Sequence, residues 1–343
     1  MPLGISFYTF QAVGYLIDCC RGRHPAEKNY VRFLLFISFF PQLIQGPINR
    51  YGEMAPQLTA RHIWNWERTK RALFLFLFGA MKKYAIANLT APTIAAILDG
   101  NDPKLAGSMA LLAILLYSLQ QYADFSGGID MVLGVAQLYG IEMMPNFQQP
   151  YFSTSLGDFW RRWHITLSGW FRDYIYIPLG GNRKGLKRQI FNLFVVELLT
   201  GIWHGADWNF ICWGLYYFVL LALEKLFLLK YLEKGRIWPH IYTMFLVVVG
   251  WAMFVGNEAG VGFGLLFRKL FLPSGGASPV YFLRNYGVLL AVSILCCTPL
   301  IEKLWNALRK HTVTRVAAVL VLLVLSTAYV VGSTNSPFLY FNF

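Results

Sequence analysis

Long apolar runs dominate this sequence and restrict what it can fold into. Five of them lie in the second half, at 189–203, 209–223, 241–256, 285–301 and 313–332. A bilayer core about 30 Å thick is crossed by about 20 apolar residues in a helix, which satisfies its own backbone hydrogen bonds. Charged residues make up only 14% of the chain, whereas soluble domains carry roughly 25%. The sequence therefore predicts an all-α, polytopic membrane bundle.

The first half is less regular. Residues 31–48 are apolar but interrupted by prolines and a glycine, which predicts a re-entrant segment. The run at 72–81 is followed by two lysines at 82–83, which we expect to snorkel towards the headgroups. Residues 260–272 are predicted to dip in as a short hairpin. We expect eight to ten embedded helices in a single domain over 1–343, with further spans upstream, because apolar sequence starts at once.

A polar patch separates an apolar run at 105–123, long enough to cross, from a shorter mixture of apolar and polar residues at 129–144. It contains Asp124 and Ser126 and ends in two glycines. Either Gly127 terminates a helix here, or the missing side chains let the backbone approach another group closely. Asp124 and Ser126 are accordingly candidate substrate-binding residues.

Residues 146–188 mix bases with aromatic side chains. At helical spacing, one face collects Phe159, Trp163, Leu167, Phe171 and Tyr174. This pattern predicts an amphipathic helix lying in or beneath the headgroups. The glycine-rich stretch 180–185, which contains Asn182, then predicts a tight turn before the next span.

His204 is the first candidate for chemistry, because it ends an apolar run. Glu197, Thr200 and His204 follow each other at spacings of three and four, so they share one face of a helix. Intramembrane ionisable groups mark pathways or reaction sites, and histidine exchanges protons near neutrality. In the alternative, His204 only bonds a neighbouring helix. For Glu197 we expect an ion pair with a base of a neighbouring helix.

His164 lies between tryptophans in a basic segment, where it either reacts or simply lies at the level of the headgroups.

The chain contains no phosphate-binding glycine loop, zinc-ligand spacing or nucleophile elbow. Its five cysteines lie in apolar surroundings and predict neither a metal site nor a disulfide framework. The net charge of +13 is spread between apolar runs, which favours anionic headgroups over nucleic acid. Histidines, hydroxyls and amides in a membrane suit acyl transfer.

Several motifs, in this order along the chain, together resemble the membrane-bound O-acyltransferase (MBOAT) family, and specifically its bacterial alginate O-acetylation branch. They are Pro2-Leu3-Gly4-Ile5-Ser6-Phe7, Phe39-Phe40-Pro41-Gln42-Leu43, Tyr122-Ala123-Asp124-Phe125-Ser126-Gly127, Phe159-Trp160-Arg161-Arg162-Trp163-His164, Arg172-Asp173-Tyr174, Pro178-Leu179-Gly180-Gly181-Asn182, Gly201-Ile202-Trp203-His204-Gly205 and Ser336-Pro337-Phe338-Leu339-Tyr340-Phe341-Asn342-Phe343. Members usually carry several spans before the first motif, so the resemblance implies an N-terminally shortened chain.

The resemblance implies a helical membrane bundle with a central tunnel and a catalytic histidine, which maps to His204. His164 maps to a second functional histidine. Substrate-binding candidates are Arg161, Arg162, Trp163, Asp124, Ser126, Asn182, Trp203 and Thr200. We expect Arg161 and Arg162 to attract donor phosphates.

The resemblance also implies reactants and a location. An acyl thioester, from acetyl-CoA or an acyl carrier protein, would donate, with no bound cofactor or metal. An extracytoplasmic polysaccharide would accept, with an extracytoplasmic acetyltransferase as partner protein, at the bacterial inner membrane. Two alternatives stay open: D-alanyl transfer to teichoic acid, and a transporter or flippase for a lipid-linked saccharide.

Overall fold

The computed structural model describes residues 4–98, 107–205, 207–258, 263–271, 279–308 and 310–332. These residues form sixteen α-helices and no strand. The helices are α1 (Ile5–Cys20), α2 (Tyr30–Ser38), α3 (Tyr51–Thr59), α4 (Trp66–Met81), α5 (Asn88–Leu98), α6 (Ser108–Leu138), α7 (Leu156–Arg162), α8 (Ile165–Phe171), α9 (Gly185–His204), α10 (Trp208–Leu223), α11 (Leu229–Leu232), α12 (Trp238–Glu258), α13 (Phe263–Leu270), α14 (Pro279–Cys296), α15 (Leu300–Leu308) and α16 (Thr312–Gly332). The predicted all-α class is confirmed.

Three continuous helical stretches of the described residues are long and apolar enough to cross a bilayer: Trp66–Pro92, Trp208–Leu232 and Thr312–Val331. The last has a mean hydropathy of 2.1 and only 6% of its most apolar window is buried, so it offers lipid an apolar surface. α6 has 31 residues and α9 has 20, so both are long enough to cross a bilayer, but both are more polar than these three stretches. Three is fewer than the eight to ten embedded helices expected, because that count also includes shorter and more polar segments.

α6 joins the two runs that the sequence separated, and it passes through Gly127 without ending. The second interpretation of the glycines is correct: a Cβ on Gly127 would lie 2.7 Å from the carbonyl oxygen of Gly79 in α4. A Cβ on Gly134 would likewise lie 2.7 Å from the Ala72 oxygen. Glycine thus lets the α4 and α6 backbones touch at two levels.

The two lysines that follow α4 do not snorkel, which corrects the prediction. Lys82 and Lys83 lie in a π-helical turn, Lys82–Ala87, and are only 4% and 2% exposed. The Lys82 ammonium lies 2.5 Å from Asp130, and Lys83 pairs with Asp124. Because α6 supplies both carboxylates, the lysines are stabilised inside the protein and need not reach water.

The aromatic segment at 146–188 is also different from the prediction. It is not one amphipathic helix, because α7 ends at Arg162 and α8 begins at Ile165. Between them, His164 adopts a left-handed backbone conformation with φ 47°. The predicted apolar face is nevertheless buried throughout: Phe159, Trp163, Leu167, Phe171 and Tyr174 are all at most 6% exposed.

The other local predictions have mixed outcomes. In 31–48 the helix α2 stops at Ser38 and a short 3₁₀ turn follows at Phe40–Gln42, so the helix is interrupted as the prolines and glycine predict. The re-entrant course of this segment stays a prediction. The glycine-rich stretch forms the predicted turn, with positive φ at Gly180 and Gly181. The hairpin expected at 260–272 lies partly, and the motif at 336–343 wholly, outside the described residues.

Candidate active site

A cavity of about 360 Å³ lies among α7, α8, α9 and the helix that continues α10. Both candidate histidines, His164 and His204, line it. Glu197, Thr200 and Trp163 line it as well. Residues forty positions apart in sequence therefore meet around one space, and that space is large enough for a small substrate group.

α9 supplies the polar stripe that its sequence spacing predicts. Glu197, Thr200 and His204 all face the cavity. The stripe can face the cavity because glycines let α9 pack closely against α10. A Cβ on Gly201 would be 2.5 Å from the Phe210 oxygen, and one on Gly214 would be 2.4 Å from the Glu197 oxygen. The prediction that Glu197 forms an ion pair is wrong, since no lysine or arginine of the described residues pairs with it.

Aromatic rings surround His204 at the end of α9. Its ring centroid lies 4.7 Å from that of Trp203, 5.1 Å from Trp213 and 5.4 Å from Phe254. The next residue must be small, because a Cβ on Gly205 would lie 2.5 Å from the Phe210 ring. Such apolar walls exclude water and strengthen electrostatic interactions with anything bound beside the imidazole.

His164 approaches the cavity from the break between α7 and α8. It is 2% exposed, and its Nδ1 lies 3.2 Å from Oδ1 of Asn146. Phe125 of α6 packs against it edge-on, with ring centroids 4.9 Å apart. The Trp203 ring packs near both histidines, with its centroid 6.1 Å from that of His164 and 4.7 Å from that of His204. One tryptophan therefore contacts both.

The cavity also has a charged rim. Four exposed charged residues line it: three bases, Arg161, Arg172 and Lys225, and one acid, Glu233. Arg162, the other predicted phosphate-binding residue, does not line it and instead pairs with Asp158 at 3.1 Å. Basic side chains at the rim thus offer an anionic group a binding surface next to the histidines.

Besides Arg162, three predicted site residues lie away from the cavity. Asp124 pairs with Lys83, and Ser126 accepts a hydrogen bond of 2.9 Å from Lys82 at the contact of α4 with α6. Asn182 is exposed in the turn before α9.

Sequence reasoning missed Asn146 and Glu224. Asn146 is 1% exposed, and Glu224, which lines the cavity, is 3% exposed. Glu224 directly follows an apolar run, so it could be taken for the charged end of a span. No pattern in the sequence distinguishes Asn146.

Comparison with known proteins places this site in a family. The family model of MBOAT, the membrane-bound O-acyltransferase family, matches residues 23–259, more than half of the chain. The protein belongs to the MBOAT family. All residues that line the cavity, from Ser155 to Glu233, lie within the matched range.

The chain is similar to individual proteins that are named for alginate, peptidoglycan or teichoic acid. A probable alginate O-acetylase of Azotobacter vinelandii is 41% identical over 76% of this chain and 52% of its own length. A peptidoglycan O-acetyltransferase of Helicobacter pylori is 38% identical over 66% of this chain and 47% of its own length. A teichoic acid D-alanyltransferase of Bacillus subtilis is 31% identical over 74% and 69%. The chain spans about half the length of the O-acetylase relatives it matches.

Proposed function

We propose that this MBOAT protein is a multi-pass inner-membrane O-acyltransferase that moves an acetyl group from a cytoplasmic thioester towards hydroxyls of an extracytoplasmic polysaccharide. The observation that carries the proposal is the cavity, which brings His164 and His204 together behind a basic rim. The names of the relatives support the class of reaction and the kind of acceptor.

The chemistry requires a base, an acyl carbon and a leaving group in one water-poor space. A hydroxyl oxygen attacks the acyl carbonyl carbon, and an imidazole takes its proton. The carbon–sulfur bond then breaks, and the leaving thiolate takes that proton from the imidazole and becomes a thiol. His204 either serves as this base or carries the acyl group transiently, and His164 orients the donor or handles a proton. General base catalysis by one group is worth about 10²- to 10⁴-fold in rate.

The rim gives the donor an entrance. Acetyl-CoA and the prosthetic arm of an acyl carrier protein both carry phosphate at the opposite end of a pantetheine arm from the thioester, and Arg161, Arg172 and Lys225 supply cationic partners for phosphate. The acceptor would approach from the extracytoplasmic side, where a partner acetyltransferase completes the transfer to the polysaccharide.

D-alanyl transfer to teichoic acid is the second candidate. The observation in its favour is the 31% identity to a teichoic acid D-alanyltransferase, of which this chain covers 69%. We favour acetylation because identity to the alginate O-acetylase is higher, at 41%. Supplying membranes with acetyl-CoA, an acetyl carrier protein or a D-alanyl carrier protein separates these donors.

The test is the O-acetyl content of cell-surface polysaccharide in a deletion strain that expresses wild type, His204→Ala or His164→Ala. We expect each cavity variant to lose at least about 100-fold in transfer. The matched control is His311→Ala, because His311 is exposed and does not line the cavity. Full acetylation by His204→Ala at equal membrane level would refute acyl transfer at this cavity and favour the transporter alternative.

A further inference from the structure

Three hydrogen bonds converge on one oxygen atom beside the cavity, Oδ1 of Asn146. The backbone N–H of Thr166 lies 3.0 Å from it and the Thr166 hydroxyl 2.9 Å. The third neighbour is Nδ1 of His164, at 3.2 Å. Asn146 is 1% exposed and His164 2%, so water does not compete for these bonds.

The pattern determines which way the amide faces. A backbone N–H can only donate, so the Asn146 atom that faces Thr166 must be the oxygen and not the nitrogen. An amide oxygen can only accept, so Nδ1 of His164 must carry a hydrogen. A neutral imidazole has one N–H, and its other nitrogen, Nε2, therefore holds a lone pair.

That lone pair is available. Nε2 of His164 is buried and has no hydrogen-bond partner within the described part of the chain. Asn146, which does not line the cavity, engages Nδ1, so Nε2 is the ring nitrogen that is left for a group bound in the cavity that His164 lines. The ring is held in place by the edge-on contact with Phe125 and by a left-handed backbone, φ 47° and ψ 51°, which is unusual for a residue other than glycine.

His204 has no comparable support. No hydrogen bond fixes its ring among the residues that the structure describes, and its surroundings are the aromatic rings of Trp203, Trp213 and Phe254. A general base must present its lone pair in a fixed direction, usually because a third group orients it. His164 meets this condition.

We infer that Asn146 is a positioning residue that holds His164 as the Nδ1–H tautomer, so that Nε2 of His164 is the base that takes the proton of the attacking hydroxyl. The inference rests on the proposed acyl transfer, and it assigns the role of base to His164 and leaves His204 the role of transient acyl carrier. The hydroxyl oxygen bonds to the carbonyl carbon, the bond from that carbon to its leaving group breaks, and the proton on Nε2 passes to the leaving group. The leaving group is the thioester sulfur, or the His204 nitrogen when His204 carries the acyl group.

The tautomer is measured directly from nitrogen-15 spectra of the purified protein labelled at histidine. We expect wild type to show one buried histidine protonated at Nδ1, a signal that His164→Ala removes. Asn146→Leu has a similar volume but no acceptor, and we expect it to lose that tautomer. A signal from His164 protonated at Nε2 in wild type would overturn the inference.

Kinetics separate positioning from folding. We expect Asn146→Leu to lower kcat about 10- to 100-fold, the size of effect that loss of the hydrogen-bond partner of a metal-bound histidine has, with the donor KM unchanged. Asn146→Asp keeps an acceptor oxygen and should restore the tautomer and most of kcat. Thr166→Val is the structural control, because it removes one of the three bonds but leaves the bond to His164. Equal kcat losses in Thr166→Val and Asn146→Leu would overturn the inference.

A failure of the proposed function gives a different result. If wild type transfers no acyl group from any thioester, the reaction is wrong, but the spectra still decide whether Asn146 sets the tautomer of His164. If wild type transfers the group and Asn146→Leu keeps both kcat and the tautomer, only the inference about Asn146 fails.

Discussion

Glu224 accepts hydrogen bonds from the first backbone N–H groups of α7, that of Leu156 at 2.7 Å and that of Gly157 at 3.2 Å. A carboxylate from the helix that continues α10 thereby satisfies donors that a helix cannot satisfy itself. α7 carries Trp160 and Arg161 to the cavity and ends two residues before His164. Glu224 thus connects a spanning stretch to the segment that supplies the candidate base.

We predict that Glu224→Ala destabilises the protein by about 1.5–3 kcal/mol, the usual value of hydrogen bonds to a charged group. Glu224→Gln keeps an acceptor oxygen and should lose less. The measurement is thermal unfolding of the purified protein in detergent, followed by tryptophan fluorescence. The matched control is Glu233→Ala, which also removes a carboxylate from the cavity lining but from an exposed residue. Equal losses in the two alanine variants would contradict the role of Glu224.

The spacing of residues in the sequence predicts most of the side chains that α9 contributes to the cavity wall. Glu197, Thr200 and His204 recur at three and four residues, and a regular helix must place them on one face. The buried aromatic face of 146–188 followed from the same periodicity. Local geometry of this kind is readable from sequence because it depends only on the helix itself.

The errors arose where a distant residue decides the local structure. Lys82 and Lys83 resemble the charged end of a span until α6 supplies Asp130 and Asp124 as partners. The helix break at His164 depends on Asn146, whose side-chain oxygen accepts from the backbone N–H of Thr166. Neither partner is near in sequence to the residue it controls, so periodicity alone could not reveal it.

The close contact of α4 with α6 gives a second prediction. Gly127→Ala would place a Cβ 2.7 Å from the Gly79 oxygen, and backbone cannot move aside as a flexible side chain can. We expect a loss of about 1–3 kcal/mol in the free energy of unfolding, as overpacking causes. Gly287→Ala is the control, since a Cβ there meets no atom within 4 Å and alanine favours the helix. Denaturant unfolding in detergent compares them, and equal effects would show that the contact does not constrain the helices.

The buried pair of Lys83 and Asp124 gives a third prediction. Removing one partner leaves a buried charge without the ion pair that compensates it, so Lys83→Met or Asp124→Leu alone should cost about 3–5 kcal/mol. The double variant should recover much of that loss, because apolar pairs of similar volume replace buried ion pairs well. A double-mutant cycle of unfolding free energies measures the coupling. Additive losses would contradict the pairing, and a double variant that is stable but inactive would support the substrate-binding role predicted for Asp124.

The two neighbouring arginines Arg161 and Arg162 give a fourth prediction, which concerns where the donor binds. Both pair with Asp158, Arg161 at 3.5 Å and Arg162 at 3.1 Å, but Arg161 lines the cavity and its side chain is 73% exposed, whereas Arg162 does not line it and its side chain is 33% exposed. We expect Arg161→Ala to raise the donor KM up to about tenfold, equivalent to about 1.4 kcal/mol of binding. Arg162→Ala should leave that KM within about twofold, and the difference should shrink at high salt because exposed charges are screened. Donor titrations with purified protein at two salt concentrations measure both. A larger KM increase in Arg162→Ala than in Arg161→Ala would mean that the donor phosphates do not bind at the cavity rim.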